Sequence, residues 1–226
     1  MSSSRRSFLA RLSAAAAALS ATFALPRSAG AEPLQSHDLD KWLDDLKGQH
    51  KMICDCVTKT HISEMAFARN FLQANGTDYG LNDSDSSVIV SLRHEATPFG
   101  FNDAMWEKYK IGESLDVPAR AAGRGGAAGA ATDTTRAATD SIVPKATRNP
   151  QLTMITTLSQ RGALFTVCGM ATQRYAGEYA RKTNQQMADV RAELLANLVP
   201  NGRPVAAGVI VINRAQERGF SLLYVG

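Results

Sequence analysis

A short apolar run passed straight into helical periodicity is the feature that most limits what this chain can build. Ala163-Leu164-Phe165-Thr166-Val167 is such a run, bounded by Arg161-Gly162 before and Gly169 after, and it suits a strand buried on both faces. Ala171, Tyr175 and Tyr179 follow at every fourth residue, as one face of a helix does. A strand handed to a helix and then to another strand returns parallel to itself, so repetition of this unit specifies a parallel sheet wrapped in helices.

The unit recurs. Asp38 to Leu46 carries Leu39, Trp42, Leu43 and Leu46 at helical spacing and closes at Gly48, which predicts an edge helix. Lys51 to Val57 predicts a first strand, followed by a helix over 63–75 with Met65, Ala66 and Leu72 inward and Gly76 as its stop. Val88 to His94 predicts a second strand, and Thr97-Pro98 an N-cap with proline in the first turn of a helix bearing Phe101, Met105 and Tyr109. After Asn149-Pro150 comes a helix through Leu152, Ile155 and Leu158, then the Ala163–Val167 strand. Met187, Val190, Leu194 and Leu198 mark a further helix ended by Pro200; Val205 to Ile212 predicts a fourth strand, Asn213 to Arg218 a turn or short helix, and Phe220 to Val225 a fifth strand. The expected architecture is α/β: a single three-layer domain with a mainly parallel sheet of about five strands and helices on both faces. Residues 118–140, nearly all Ala, Gly, Thr and Arg, offer nothing to a core and read as a mobile or disordered insertion.

At 226 residues and 44% hydrophobic content the chain can bury one sizeable core. Its +4 charge comes entirely from the N-terminus: Arg5, Arg6, Arg11 and Arg27 account for four of 25 basic residues, leaving 21 against 21 acidic ones. A neutral body gives no support to nucleic-acid binding. Ser4-Arg5-Arg6-Ser7-Phe8-Leu9-Ala10 with an Ala-rich apolar run to Leu25 matches a twin-arginine export signal, and Ala29-Gly30-Ala31 a cleavage site before Glu32. The run is shorter than the ~20 apolar residues a spanning helix needs, so no transmembrane anchor is expected in the mature chain. A periplasmic protein, signal 1–31 and domain 32–226, is the expectation. Three cysteines are too few for a disulfide scaffold.

Four predicted strands end in polar or reactive groups: Cys54-Asp55-Cys56, Arg93-His94, Cys168, and Asn213-Arg214. Parallel strands place their carboxyl ends on one rim, where open α/β sheets bind ligands. Cys168 would sit there beside a helix N-terminus, whose unpaired N–H groups favour a thiolate, and neighbouring cations would hold an anionic sulfur species. The bland alternative, a small buried hydrophobe, applies to any single strand-end cysteine. Cys54 and Cys56, pointing to one face with His50 and His61 nearby, suggest a soft-metal or redox dithiol site, though they match neither standard zinc spacing nor the usual two-residue redox motif. No glycine-rich nucleotide fingerprint or P-loop is present, and no cofactor is expected.

Arg93-His94-Glu95-Ala96-Thr97-Pro98-Phe99 with Asn102-Asp103 and Trp106, Arg148-Asn149-Pro150, Val167-Cys168-Gly169-Met170-Ala171, and Asn213-Arg214-Ala215-Gln216-Glu217 with Gly219 together resemble the DsrE/DsrF-like family of sulfur-handling proteins, and its exported members in particular. The resemblance covers Lys51 to Gly226 apart from the insertion. It implies an α/β sandwich that often assembles into homo-oligomers, with Cys168 at the position of the sulfur carrier. The expected mechanism is then a persulfide on Cys168, with His94 assisting proton movement, Arg93 and Arg214 holding the anion, Asn102, Asp103 and Asn213 also around the ligand, and a sulfur donor or acceptor as partner. Cys54, Cys56 and the insertion depart from the pattern. A non-enzymatic protein that binds a small ligand or partner on the same rim is the competing expectation.

Overall fold

The structure, a computed structural model, describes residues 37–59, 63–119 and 144–224. The export signal, His61 and most of the 118–140 insertion lie outside the described residues. The fold is that of the compact unit beginning at Asp38.

Five strands, β1 (His50–Cys56), β2 (Ser86–Leu92), β3 (Leu164–Cys168), β4 (Gly202–Val205) and β5 (Ser221–Tyr224), form one sheet in the order β4-β3-β2-β1-β5. Every neighbouring pair is parallel. The three central strands are buried along most of their length, which is why they read as continuous apolar runs.

Strand alternation divides their side chains between two cores. Cys54 and Cys56 of β1, Val90 and Leu92 of β2, and Phe165 and Val167 of β3 enter the larger one. It is closed by α2 (Ser63–Tyr79), α3 (Asp103–Lys108), α4 (Ile111–Leu115), α5 (Leu152–Gln160), α6 (Gly169–Thr183) and α7 (Met187–Ala196), through residues such as Met65, Trp106, Ile111, Ile155, Tyr179 and Leu194. Ile53 and Ile89 enter the smaller core, under α8 (Gly208–Gln216) and α1 (Lys41–Asp44), with Leu43, Val211, Ile212, Ala215 and Phe220. This is a three-layer α/β domain.

Three sequence expectations need correction. The stretch 205–212 is not a strand: β4 is complete at Val205, and α8 begins at Gly208. Val211, Ile212 and Ala215 are buried at a helical spacing that a β-branched run disguises, because short apolar runs fit both periods. The helix over 63–75 continues through Gly76 to Tyr79; the residue after it, Gly80 at φ +67, supplies the left-handed stop. Thr97-Pro98 does not cap a helix either. His94–Gly100 is a 3-10 turn, and Asn102 caps α3 by accepting from the Met105 N–H at 3.2 Å.

That turn is clamped by its neighbours. The Asn149 amide donates to the Phe99 and Phe101 carbonyls at 2.8 and 2.9 Å, the Asn149 N–H donates to Asp103 at 2.9 Å, and the Trp106 indole donates to the Pro98 carbonyl at 2.9 Å. Irregular backbone leading away from β2 is thereby satisfied in the interior.

Candidate functional site

At the carboxyl end of the sheet the chain leaves β2 through Arg93 and His94, leaves β3 through Cys168 into α6, and leaves β4 through Ala206 and Ala207 into α8. These exits surround an open cleft of about 280 Å³. Arg93 and His94 line it from β2, Cys168, Met170, Ala171 and Arg174 from β3 and α6, and Ala207, Gly208 and Val209 from α8.

Cys168 ends β3 and is at the same time the N-cap of the fifteen-residue α6, with extended backbone (φ −66, ψ 115) and no side-chain cap on the helix. Its thiol is free, and the residue is 7% exposed. Thr172 donates its hydroxyl to the Cys168 carbonyl at 2.8 Å, fixing the first turn. The next residue must be glycine: a Cβ on Gly169 would lie 2.7 Å from the Val205 carbonyl oxygen, so its absence lets β4 close against the cysteine.

Arg93 makes a bidentate pair with Asp55, Nε to Oδ1 at 2.7 Å and Nη2 to Oδ2 at 2.8 Å. Asp55 is buried between Cys54 and Cys56 in sequence but on the opposite face of β1. The carboxylate's hydrogen bonds hold Arg93 above its ordinary pKa, against the cost of burial, and Cys168 lies close enough to act on the guanidinium electrostatically. A Cβ on Gly208 would meet the Arg93 Cβ at 2.6 Å, so this glycine allows α8 to start directly on the arginine stem. His94 has φ +53, an uncommon conformation for a residue with a side chain, and its ring is exposed at the cleft wall.

Beneath the cleft runs a polar row. Sheet register aligns Tyr224, Asp55, Ser91, Thr166 and Arg203 on adjacent strands. Ser91 and Thr166 are 1% and 0% exposed, and their hydroxyls have no hydrogen-bond partner among the described residues. Each lies two residues before a cleft residue, Arg93 and Cys168, and therefore on the same sheet face.

Of the residues singled out in the sequence, Cys168, Arg93 and His94 come together. The others do not join them. Arg214, expected on the rim, lies within α8 because the strand expected to end before it is a helix; its guanidinium is taken by Glu217 at 3.0 Å and Asp40 at 3.4 Å. Asn213 is exposed on the same helix. Asn102 caps α3 and donates to Asn197 at 3.2 Å, and Asp103 accepts from the Asn149 backbone, so both belong to the clamp on the 3-10 turn. Cys54 and Cys56 are fully buried in the larger core and do not line the cleft. No group of three or more His, Cys, Asp or Glu side chains among the described residues is arranged to hold a metal ion.

Arg174 was not foreseen. It follows Ala171 by three residues on α6, reaches the cleft, and stacks its guanidinium 4.5 Å from the Tyr175 ring centroid. The i, i+3 step from Ala171 was the available signal, hidden by the Ala171/Tyr175/Tyr179 core stripe. Asp55 was missed for a similar reason, since its cysteine neighbours drew the chemistry to the other face.

Comparison with family models, with curated proteins and with solved structures found no match to this chain.

Proposed function

We propose that the protein is an exported sulfur carrier of DsrE-like type, in which Cys168 accepts and passes on sulfur as a persulfide. One observation carries the reading: a free, largely buried thiol at a strand end, N-capping a long helix and facing a cleft with arginine and histidine on its walls. In the transfer the Cys168 thiolate attacks the outer sulfur of a donor persulfide. A new S–S bond forms at Cys168, the donor's S–S bond breaks, and its thiolate leaves with the electron pair. His94 accepts the thiol proton beforehand; the α6 N-terminus stabilises the anion that results. The motif resemblance supports the same chemistry, and the twin-arginine segment supports a periplasmic address.

A persulfide-selective label applied to protein recovered from the periplasm is expected to mark the native chain at Cys168 and to miss Cys168→Ser. No label on the native chain would overturn the reading. The address is tested separately: Arg5-Arg6 replaced by Lys-Lys is expected to leave precursor in the cytoplasm, and unchanged export would overturn it.

A second reading is favoured by the surface around the cleft. Met170 is 72% exposed, Val209 60% and Ile210 47%, while Cys168 is 7% exposed. An apolar collar around a shielded sulfur suits a protein that recognises a small ligand or partner without chemistry. Failure to label together with ligand-induced protection of Met170 would put this reading in front.

A further inference from the structure

Resting on the reading of Cys168 as a sulfur acceptor, we propose that the cleft binds thiosulfate, with Arg174 as the cation that holds its sulfonate end. The choice of cation comes from how the nearby guanidiniums are spent. Arg93 gives its Nε–Nη2 edge to Asp55, whose carboxylate offsets its charge, and Arg214 is occupied by Glu217 and Asp40 outside the cleft. Arg174 has no carboxylate within ion-pair distance among the described residues; the Tyr175 side chain steadies it and leaves N–H groups for a ligand. Glu95 and Glu178 act on Tyr175 from nearby, yet neither pairs with Arg174.

Size and chemistry narrow the ligand. A cleft of about 280 Å³ lies just under the range of drug-sized pockets and suits a small ion. Its walls bring a thiol, an imidazole and a guanidinium to one space, and the uncapped first turn of α6 adds outward N–H groups. Cys168 is more than nine-tenths buried with a free thiol facing that space, and the unpartnered hydroxyls of Ser91 and Thr166 add polar capacity below it. Cys168, Met170 and His94 would also suit a soft cation. The positive charge of Arg174 and of the helix terminus favours the anion. Among small anions, thiosulfate pairs a sulfonate for Arg174 with an outer sulfur for the thiol.

The reaction balances without an external oxidant. The Cys168 thiolate attacks the outer sulfur, a Cys168 S–S bond forms, the S–S bond of thiosulfate breaks, and sulfite leaves with the electron pair. The thiol proton passes to His94 and then to the departing sulfite.

Calorimetry on the full mature Cys168→Ser chain isolates binding from transfer. Thiosulfate is expected to bind, with at least a tenfold weaker Kd when Arg174→Ala is added and partial rescue by Arg174→Lys; the native chain is expected to release one sulfite per thiol. Equal binding with and without Arg174→Ala would overturn the proposal. If thiosulfate neither binds nor releases sulfite while an organic persulfide still loads Cys168, this inference falls and the carrier reading stands. If neither donor loads Cys168, both fall.

Discussion

Asp55 and Arg93 show how one pair of side chains can organise a site without entering its chemistry. The carboxylate is almost fully buried and the guanidinium about three-quarters so, with side-chain exposures of 4% and 24%. Removing one partner strands the other: Arg93→Ala should cost about 3 kcal/mol by leaving the Asp55 charge uncompensated, as urea denaturation would measure. Replacing both, Asp55→Val with Arg93→Met, should recover most of that loss, because an apolar pair of similar size incurs no desolvation cost. If the double variant is no better than the single, the pair contributes more than the burial of two charges explains. Strand alternation made Asp55 legible in part, since whatever face Cys54 and Cys56 take, Asp55 takes the other. Its partner 38 residues away was not legible, because a single sequence says nothing about which strands will be neighbours. Cys168, by contrast, was placed from local pattern alone: a strand and a helix share it, and both were plain in the spacing.

Among the elements, β1, β2 and β3 were readable because both their faces are buried, while β4 and α8 were misread at their junction. β4 is an edge strand of four residues containing Pro204, so it lacks the apolar signature of the centre. The apolar run after it belongs to a helix whose buried face is narrow. What closes β4 onto β3 is the bare backbone of Gly169, with a prospective Cβ 2.7 Å from the Val205 oxygen and 3.0 Å from that of Ala206. Both contacts are main-chain atoms that cannot rotate aside. Gly169→Ala should therefore lower stability by about 1–3 kcal/mol and speed native-state alkylation of Cys168 as the edge opens. Unchanged alkylation with unchanged stability would mean that β4 accommodates the methyl. The insertion is also an element-scale matter. Its described ends are already joined, the Ala119 N–H donating to the Pro144 carbonyl at 2.7 Å beside a bridge between Pro118 and Lys145. Deleting 122–141 leaves residues 120, 121, 142 and 143 to close the connection, a common hairpin-loop length, so the thermal transition should survive nearly unshifted.

At the scale of the whole molecule, the sheet separates a large core from a small one, and the site lies at the sheet end where β2, β3 and β4 hand over to their following segments. No helix among the described residues is long and apolar enough to cross a membrane. The large core carries an unusual load of phenols. Tyr109, Tyr175 and Tyr179 stack in series, with ring centroids 5.2 and 5.9 Å apart, and all three are 3% exposed or less. Burial is the leading cause that pushes each above the ordinary tyrosine pKa of 10.0; for Tyr109 the hydrogen bond it donates to the Glu193 carboxylate adds to the rise. Above pH about 10 the unfolded chain sheds these protons and the folded chain keeps them, so the unfolded state binds fewer protons and stability falls as pH rises. The contribution is complete below pH about 10 and declines above it by about 1.4 kcal/mol per pH unit for each tyrosine still protonated in the fold. Urea midpoints measured from pH 8 to 11.5 should be flat at first and then drop steeply, with phenolate absorbance appearing together with unfolding. Tyr179→Phe should make the drop shallower at little cost near neutrality, because the Tyr179 hydroxyl is buried without a partner among the described residues and its removal relieves an unsatisfied group. A drop as steep in Tyr179→Phe as in the native chain would remove that tyrosine from the alkaline transition.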